Sequence, residues 1–158
     1  MSTSAEPKNP DFRVADRWRF LYETLCRRGP ISRENEYWVF EKYTQFYSLA
    51  ATIGFLINKR NELKSAYTPF TLNEIENDPE WNSLRAIAWK ASDCNTDVLL
   101  DNRSAIRICD EFSDAGMEYF YKEFFESHVK DNHLLRPKDI EIEDHLALMI
   151  KGILRHRG

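Results

Sequence analysis

One helix with small residues in its apolar face constrains the fold more than any other part of the chain. Residues 43–63 read YTQFYSLAATIGFLINKRNEL, and the apolar stripe narrows at Ala50, Ala51 and Gly54. A glycine inside a helix costs about 1 kcal/mol of helix propensity relative to alanine. Because such a glycine usually allows another backbone to come close, we predict that a second element crosses this helix at Gly54.

The apolar residues around Gly54 follow helical spacing. Steps of three and four residues place one apolar face on residues 35–57, at Val39, Tyr43, Phe46, Ala50, Ile53 and Ile57. Further apolar residues widen this face, which is typical of a helix that packs on more than one side. The 158 residues include only 5 glycines and 6 prolines, too few for many short strands joined by turns. We therefore predict an all-α fold, a compact bundle of five or six helices with a central helix near residues 35–57.

Helix boundary signals divide the rest of the chain. Asp78-Pro79 suits a helix start, and Thr71 to Glu74 has the spacing of a capping box. Residues 1–10 form a polar, proline-bearing tail that we predict to be disordered. Residues 11–158 are predicted to form a single helical domain. Besides the central helix, the predicted helices are residues 11–28, which Gly29-Pro30 ends, 79–92, 103–127 and 140–155.

The charge balance argues against a dedicated nucleic-acid binder. The chain carries 22 basic and 26 acidic side chains, a net charge of −4, whereas such proteins usually have a basic excess. Arginines cluster early, between Arg13 and Arg28, and acids cluster later, between Asp110 and Glu126. We interpret both clusters as solvated helix faces.

Three separated cysteines, Cys26, Cys94 and Cys109, form no CxxC pair, so neither disulfides nor a zinc site is predicted. Reduced thiols of this kind fit a cytoplasmic protein. No apolar run reaches the roughly 20 residues of a membrane helix, and the first ten residues lack the apolar core of a signal peptide. We therefore expect a soluble protein with no membrane partner.

No residue pattern predicts catalysis, a cofactor or a metal. His128 and His133 are five residues apart and belong to no HExxH motif, so we expect exposed histidines. Cys26 lies near the end of the predicted amphipathic helix, next to Arg27 and Arg28, which could lower its pKa, but burial is the favoured interpretation. Cys109 lies on an apolar helix face and is predicted to be in the core. The chain is predicted not to be an enzyme.

Two groups of residues remain as candidates for binding. Asn58, Lys59 and Arg60, together with Arg27 and Arg28, could contact phosphate or a protein partner. The alternative for residues 58–60 is a solvated helix end, where the cations complement the helix dipole. Trp38 and Trp89 fall outside the apolar stripes and are either second-layer packing residues or part of a partner surface.

Three local features resemble a known family. They are residues 48–55, SLAATIGF, followed by Asn58-Lys59-Arg60; Asp78 to Trp81, leading into Ala86-Ile87-Ala88; and Asn95 to Leu99, leading to Phe112 to Gly116. Together they cover roughly residues 35–125. In their order and spacing the chain is similar to the Dnd (DNA phosphorothioation) system-associated protein four family. Family members often carry a second small residue near Leu56 or Asn58, which this chain lacks.

The resemblance implies an accessory, non-catalytic interaction protein of a bacterial DNA-phosphorothioation-linked restriction system, which defends against phage. It implies larger protein subunits of that system as partners and no active-site residue. The alternative is a helical nucleic-acid-binding module or regulator, with phosphate contacts from Arg17, Arg19, Arg27, Arg28, Lys59 and Arg60. A small nuclease that uses scattered acids is a third alternative.

A homodimer is also expected, because one small core does not cover every aromatic side chain of this chain. The predicted contact is Trp38 or the face opposite Val39, Phe46 and Ile53.

Overall fold

Helices make up most of the structure, and two short antiparallel sheets complete it. The computed structural model describes residues 9–135 and 137–157. Within these ranges the elements are β1 (Asp11–Ala15), α1 (Arg19–Leu25), α2 (Pro30–Asn35), α3 (Tyr43–Leu56), β2 (Ala66–Thr71), α4 (Pro79–Ala91), α5 (Asp97–Leu100), α6 (Asn102–Phe120), β3 (Val129–Lys130), β4 (His133–Leu134) and α7 (Ile142–Arg157). Short 3-10 turns at Asp16–Trp18, Leu72–Glu74, Glu126–His128 and Pro137–Asp139, and a π turn at Tyr121–Phe125, lie between them.

The prediction of a mainly helical fold is confirmed, but the fold is not plainly all-α. β1 pairs with β2 in antiparallel register, Phe12 opposite Phe70 and Val14 opposite Tyr67, with an irregularity between the two pairs. The first helix was predicted from residue 11, which is wrong, because residues 11–15 are a strand and α1 begins at Arg19. Phe12 explains the difference, since its buried ring stacks on Phe70 with a centroid distance of 4.6 Å.

The predicted central helix is α3, and it is shorter than residues 35–57. Glu36 adopts a left-handed conformation with φ 52° and ends α2. The following residues form no helix, and Phe40 forms an isolated bridge with Cys26 before α3 starts at Tyr43. Gly29 also differs from its predicted role, because it precedes Pro30 as the cap of α2 rather than closing a helix that runs to residue 28. α3 packs on α6, α4, β2 and α7, as a helix with a wide apolar face should.

The close crossing predicted at Gly54 is confirmed, and its partner is α6. A Cβ atom on Gly54 would lie 1.9 Å from the carbonyl oxygen of Phe112. A Cβ atom on Gly116 would lie 1.8 Å from the carbonyl oxygen of Ala50. Each helix therefore supplies one glycine against the other's backbone, and the two backbones touch where a side chain would keep them apart.

Several local signals are confirmed at other element ends. α4 begins at Pro79, and in the capping box the amide of Thr71 donates to Glu74 Oε2 at 2.9 Å. Of the tail predicted to be disordered, residues 1–8 lie outside the described residues. Asn9 and Pro10 are bonded, because Asn9 Nδ2 donates to Thr71 Oγ1 and the amide of Leu72 donates to Pro10. None of the helices described is long and apolar enough to cross a membrane.

Candidate functional site

Acidic side chains on one side of α6 form a polar layer beneath β1 and the connection between α3 and β2. Asp110, Asp114 and Glu118 are four residues apart, so they project from the same side of the helix. Asp110 is only 6% exposed and Asp114 only 4% exposed. The prediction that the acids of residues 110–126 are solvated is therefore wrong for these two residues.

Asp114 accepts hydrogen bonds from three side chains that belong to two distant parts of the chain, residues 17–18 and residue 61. Arg17 donates at 2.7 Å, the indole Nε1 of Trp18 at 2.9 Å and Nδ2 of Asn61 at 3.0 Å. Hydrogen bonds to a carboxylate are about twice as strong as neutral ones. These bonds offset the desolvation of a buried charge and join the turn after β1 to α6.

Asp110 is buried beside α3 and β1. Its Oδ1 accepts a hydrogen bond from the Tyr47 hydroxyl at 2.6 Å and another from the Arg13 amide at 3.1 Å. Burial raises the pKa of Asp110 to about 7, although both hydrogen bonds act in the opposite direction. This carboxyl group therefore changes its charge near neutral pH, unlike an ordinary aspartate.

Glu118 lies at the solvent end of the same layer. Lys122 donates to it at 2.8 Å and Asn61 at 2.7 Å, while Lys59 lies 3.6 Å away. The Lys122 hydrogen bond and these other partners lower the pKa of Glu118 to about 2. Neighbouring environments thus move the pKa values of two α6 acids in opposite directions.

The candidate phosphate-binding segment 58–60 has structural partners of its own. Asn58 adopts φ 54° just after α3, its amide donates to Phe55, and the amide of Lys59 donates to Gly54. This is the Schellman arrangement that closes many helices. Arg60 donates to Glu111 at 2.9 Å. The segment caps α3 and ties it to α6.

The six cations of the nucleic-acid alternative all have carboxylate partners. Their nitrogen–oxygen distances run from 2.7 to 3.8 Å, with Arg17 on Asp114, Arg19 on Glu23, Arg27 on Glu41, Arg28 on Glu74, Lys59 on Glu118 and Arg60 on Glu111. A phosphate contact would have to compete with each pair. This pairing favours the hypothesis of a protein-interaction role over that of a nucleic-acid-binding module, although exposed pairs are individually weak.

Arg27, Arg28 and Trp38 come together in one groove, which we call the Trp38 groove. Its volume is about 730 Å³, and its lining is Arg27, Arg28, Arg33, Glu36, Trp38, Glu41 and Lys42. The Arg27 guanidinium carbon lies 5.4 Å from the centre of a Trp38 ring, and the indole donates to Glu41 at 3.3 Å. The sequence had separated these residues into two candidate groups.

The tryptophans divide into two buried and two exposed side chains. Trp18 and Trp81 are only 4% and 6% exposed. Trp38 and Trp89 are each 37% exposed, and Trp89 lies on α4. Both off-stripe tryptophans are thus available at the surface.

Cysteines and histidines contribute no reactive cluster within the described residues. Cys26 and Cys109 are fully buried, as predicted, and burial raises the pKa of both thiols. His133 is exposed, with Nδ1 2.8 Å from the carbonyl oxygen of Asp131. His128 packs against the ring of Phe124. In that part of the chain, no three histidine, cysteine or acidic side chains are placed to hold a metal ion.

The fold and these two features describe a helical domain with a buried acidic layer and an exposed aromatic groove. No protein-family model, no curated protein and no solved structure matches the chain.

Proposed function

We propose that this chain is an accessory, non-catalytic interaction protein of a DNA-phosphorothioation-linked restriction system, and that it acts by binding a larger protein subunit. The observation that carries the proposal is the Trp38 groove, where an exposed tryptophan lies beside two arginines. Tryptophan and arginine are the residues most enriched among the few that dominate binding energy at protein interfaces.

The exposure of Trp38 supports a role in binding rather than in folding. An indole buries a large apolar area when it is enclosed, and this chain encloses Trp18 and Trp81 almost fully. Trp38 remains 37% exposed while its N–H is already bonded to Glu41. A partner that covers the ring therefore buries apolar surface without leaving the indole N–H buried and unbonded.

The defence system is proposed from the sequence resemblance, which rests on residues 48–60, 78–88 and 95–116. The contacts of the acids on α6 support a scaffold better than a nuclease. Asp114 is occupied by three hydrogen bonds and Glu118 by two, so neither acid is left free to bind a catalytic metal or activate water.

Co-purification with the products of its neighbouring genes tests the proposal. Wild-type chain, Trp38→Ala and Leu100→Ala would be expressed with a tag at native levels. Leu100 is 84% exposed and is the matched control for loss of a surface apolar side chain. We expect wild type and Leu100→Ala to retain a large defence subunit. The amount of that subunit recovered with Trp38→Ala should be at least about tenfold lower, as for an interface hot spot.

Two results would contradict the proposal. Recovery of only housekeeping proteins with the wild-type chain would exclude a role in the defence system. Equal recovery of the subunit by Trp38→Ala and wild type would show that the Trp38 groove is not the contact.

A further inference from the structure

The two carboxylate oxygens of Asp110 are used unequally. Oδ1 accepts both hydrogen bonds, from the Tyr47 hydroxyl and from the Arg13 amide. Oδ2 accepts none from the described residues. It is also not among the enclosed, unpartnered polar atoms of that part of the chain, which are the hydroxyl oxygens of Tyr22, Thr44 and Tyr67. An oxygen that is neither bonded nor enclosed is accessible to solvent, even though Asp110 as a whole is only 6% exposed.

Asp110 lines a pocket of about 340 Å³, which we call the Asp110 pocket. Asp110 forms one wall, and the remaining lining is Arg13, Glu62, Leu63, Arg107 and Glu111. Glu111 is already paired with Arg60 at 2.9 Å, which leaves Arg13 and Arg107 as the cations around the opening. The volume lies at the lower end of the range of small-molecule sites.

We propose that the Asp110 pocket binds a small zwitterion of the amino-acid class, whose amine donates to Asp110 Oδ2 and whose carboxylate meets Arg13 and Arg107. The amine supplies the donor that the buried oxygen lacks. The carboxylate matches the paired N–H groups of a guanidinium, which bind such anions in a fixed geometry. Both ends of the ligand are then satisfied by groups that the fold has already placed.

The ionisation of Asp110 supports this assignment. Burial raises the pKa of its carboxyl group to about 7, so a cationic amine bound at Oδ2 should stabilise the charged form and lower that pKa. A merely structural carboxyl group would not respond to an added zwitterion. The titratable and charged groups around this carboxyl are Arg13 on β1, Tyr22 on α1, Tyr47 on α3, Glu62 in the connection before β2, and Arg107, Cys109 and Glu111 on α6.

The test is a titration of the full chain, labelled with ¹⁵N and ¹³C, followed by NMR. The probes are glycine, β-alanine and 4-aminobutyrate, which separate amine and carboxylate by increasing lengths. Ethylamine and propionate are the controls that carry only one end. The variants are Asp110→Asn, Arg107→Gln and, as a matched loss of an exposed cation on α4, Lys90→Gln.

We expect at least one zwitterion to cause saturable shifts confined to the amides of residues 13, 62–63, 107 and 110–111. Its affinity should exceed that of either single-ended probe by about tenfold, and Asp110→Asn should weaken it by about tenfold, the effect of losing a charged hydrogen bond. Arg107→Gln should weaken it severalfold, and Lys90→Gln should not change it. The same zwitterion should move the titration of the Asp110 carboxyl carbon to lower pH, and propionate should not.

The proposal is overturned if no zwitterion shifts these amides at concentrations up to about 20 mM, where even very weak sites are occupied. It is equally overturned if Asp110→Asn binds as well as wild type. Should that variant fail to fold, Arg107→Gln and Lys90→Gln decide the matter, and equal affinities in the two would refute the pocket.

Discussion

Replacing Gly54 with alanine tests the helix crossing at the centre of the fold. The new Cβ would lie 1.9 Å from the carbonyl oxygen of Phe112, whereas an ordinary contact begins at 3.4 Å. The difference is about 1.5 Å, and the clashing atom belongs to a helix backbone that cannot rotate away. α3 and α6 must therefore move apart or bend.

The magnitude follows from two opposing terms. Alanine stabilises the helix by about 1 kcal/mol relative to glycine. Overpacking typically costs 1–3 kcal/mol and sometimes more, and a gap of even 0.5–1 Å forfeits a quarter to a half of the dispersion energy along the contact. We expect the cost to win and Gly54→Ala to lose about 2–4 kcal/mol of unfolding free energy, which lowers Tm by roughly 10 °C in a domain of this size.

Gly152 on α7 provides the matched control. A Cβ at Gly152 has no heavy atom within 4 Å, so Gly152→Ala should gain up to about 1 kcal/mol from helix propensity alone. Urea unfolding followed by circular dichroism at 222 nm measures both variants. A Gly54→Ala protein as stable as wild type, beside a stabilised Gly152→Ala protein, would refute the close crossing.

Three further predictions concern the polar layer and self-association. The folded-state pKa of Asp110 is about 7 rather than 3.8, so its stabilising contribution is present below about pH 4 and is lost as pH rises to 7, by about 4 kcal/mol. Urea unfolding at pH 5 and pH 8 measures this fall in the free energy of unfolding, and the fall should be absent in Asp110→Asn. Trp18→Phe should cost about 1–3 kcal/mol in the same assay at pH 8, because Asp114 loses a buried donor; an unchanged midpoint contradicts this. Light scattering at micromolar concentration should give a dimer mass, and a mass near 18.7 kDa would exclude the dimer.

Sequence patterns predicted those parts of the fold that depend on neighbouring residues. The glycine at residue 54, the proline at residue 79 and the capping box at residues 71–74 each act within one or two helical turns, so their signals are complete in the local sequence. The surface positions of Trp38 and Trp89 follow from the same kind of signal, because an aromatic residue outside the apolar face of its segment is readily recognised.

The sheet could not be found by such local signals. Phe12 pairs with Phe70, and the pairing depends on contacts between residues far apart in the chain. Val14 and Trp18 are four residues apart, so the first segment satisfies helical spacing even though Val14 lies in a strand. Local spacing does not distinguish the two structures when the partner strand is distant, and the tertiary pairing overrides it.

The buried acids were missed for a related reason. Their spacing of four residues places Asp110 and Asp114 on one side of α6, and that much was visible in the sequence. The burial of Asp114 depends on donors that are 97 residues away for Arg17 and 53 residues away for Asn61. The burial of Asp110 depends on the Arg13 amide, 97 residues away, and the Tyr47 hydroxyl, 63 residues away. A carboxylate can be buried only if it is bonded, so no prediction from α6 alone could distinguish these acids from solvated ones.

The sheet and the buried acids, both missed from the sequence, belong to one structural feature. β2 holds β1 along one edge, and the acids of α6 receive the Arg13 amide and the Arg17 side chain from β1 and the turn after it. This arrangement brings the Arg13 amide to Oδ1 of Asp110, and Oδ2 accepts no hydrogen bond from the described residues on a side chain that lines the pocket. The strand that sequence periodicity assigned to a helix therefore creates the asymmetry of Asp110 from which the ligand site is inferred.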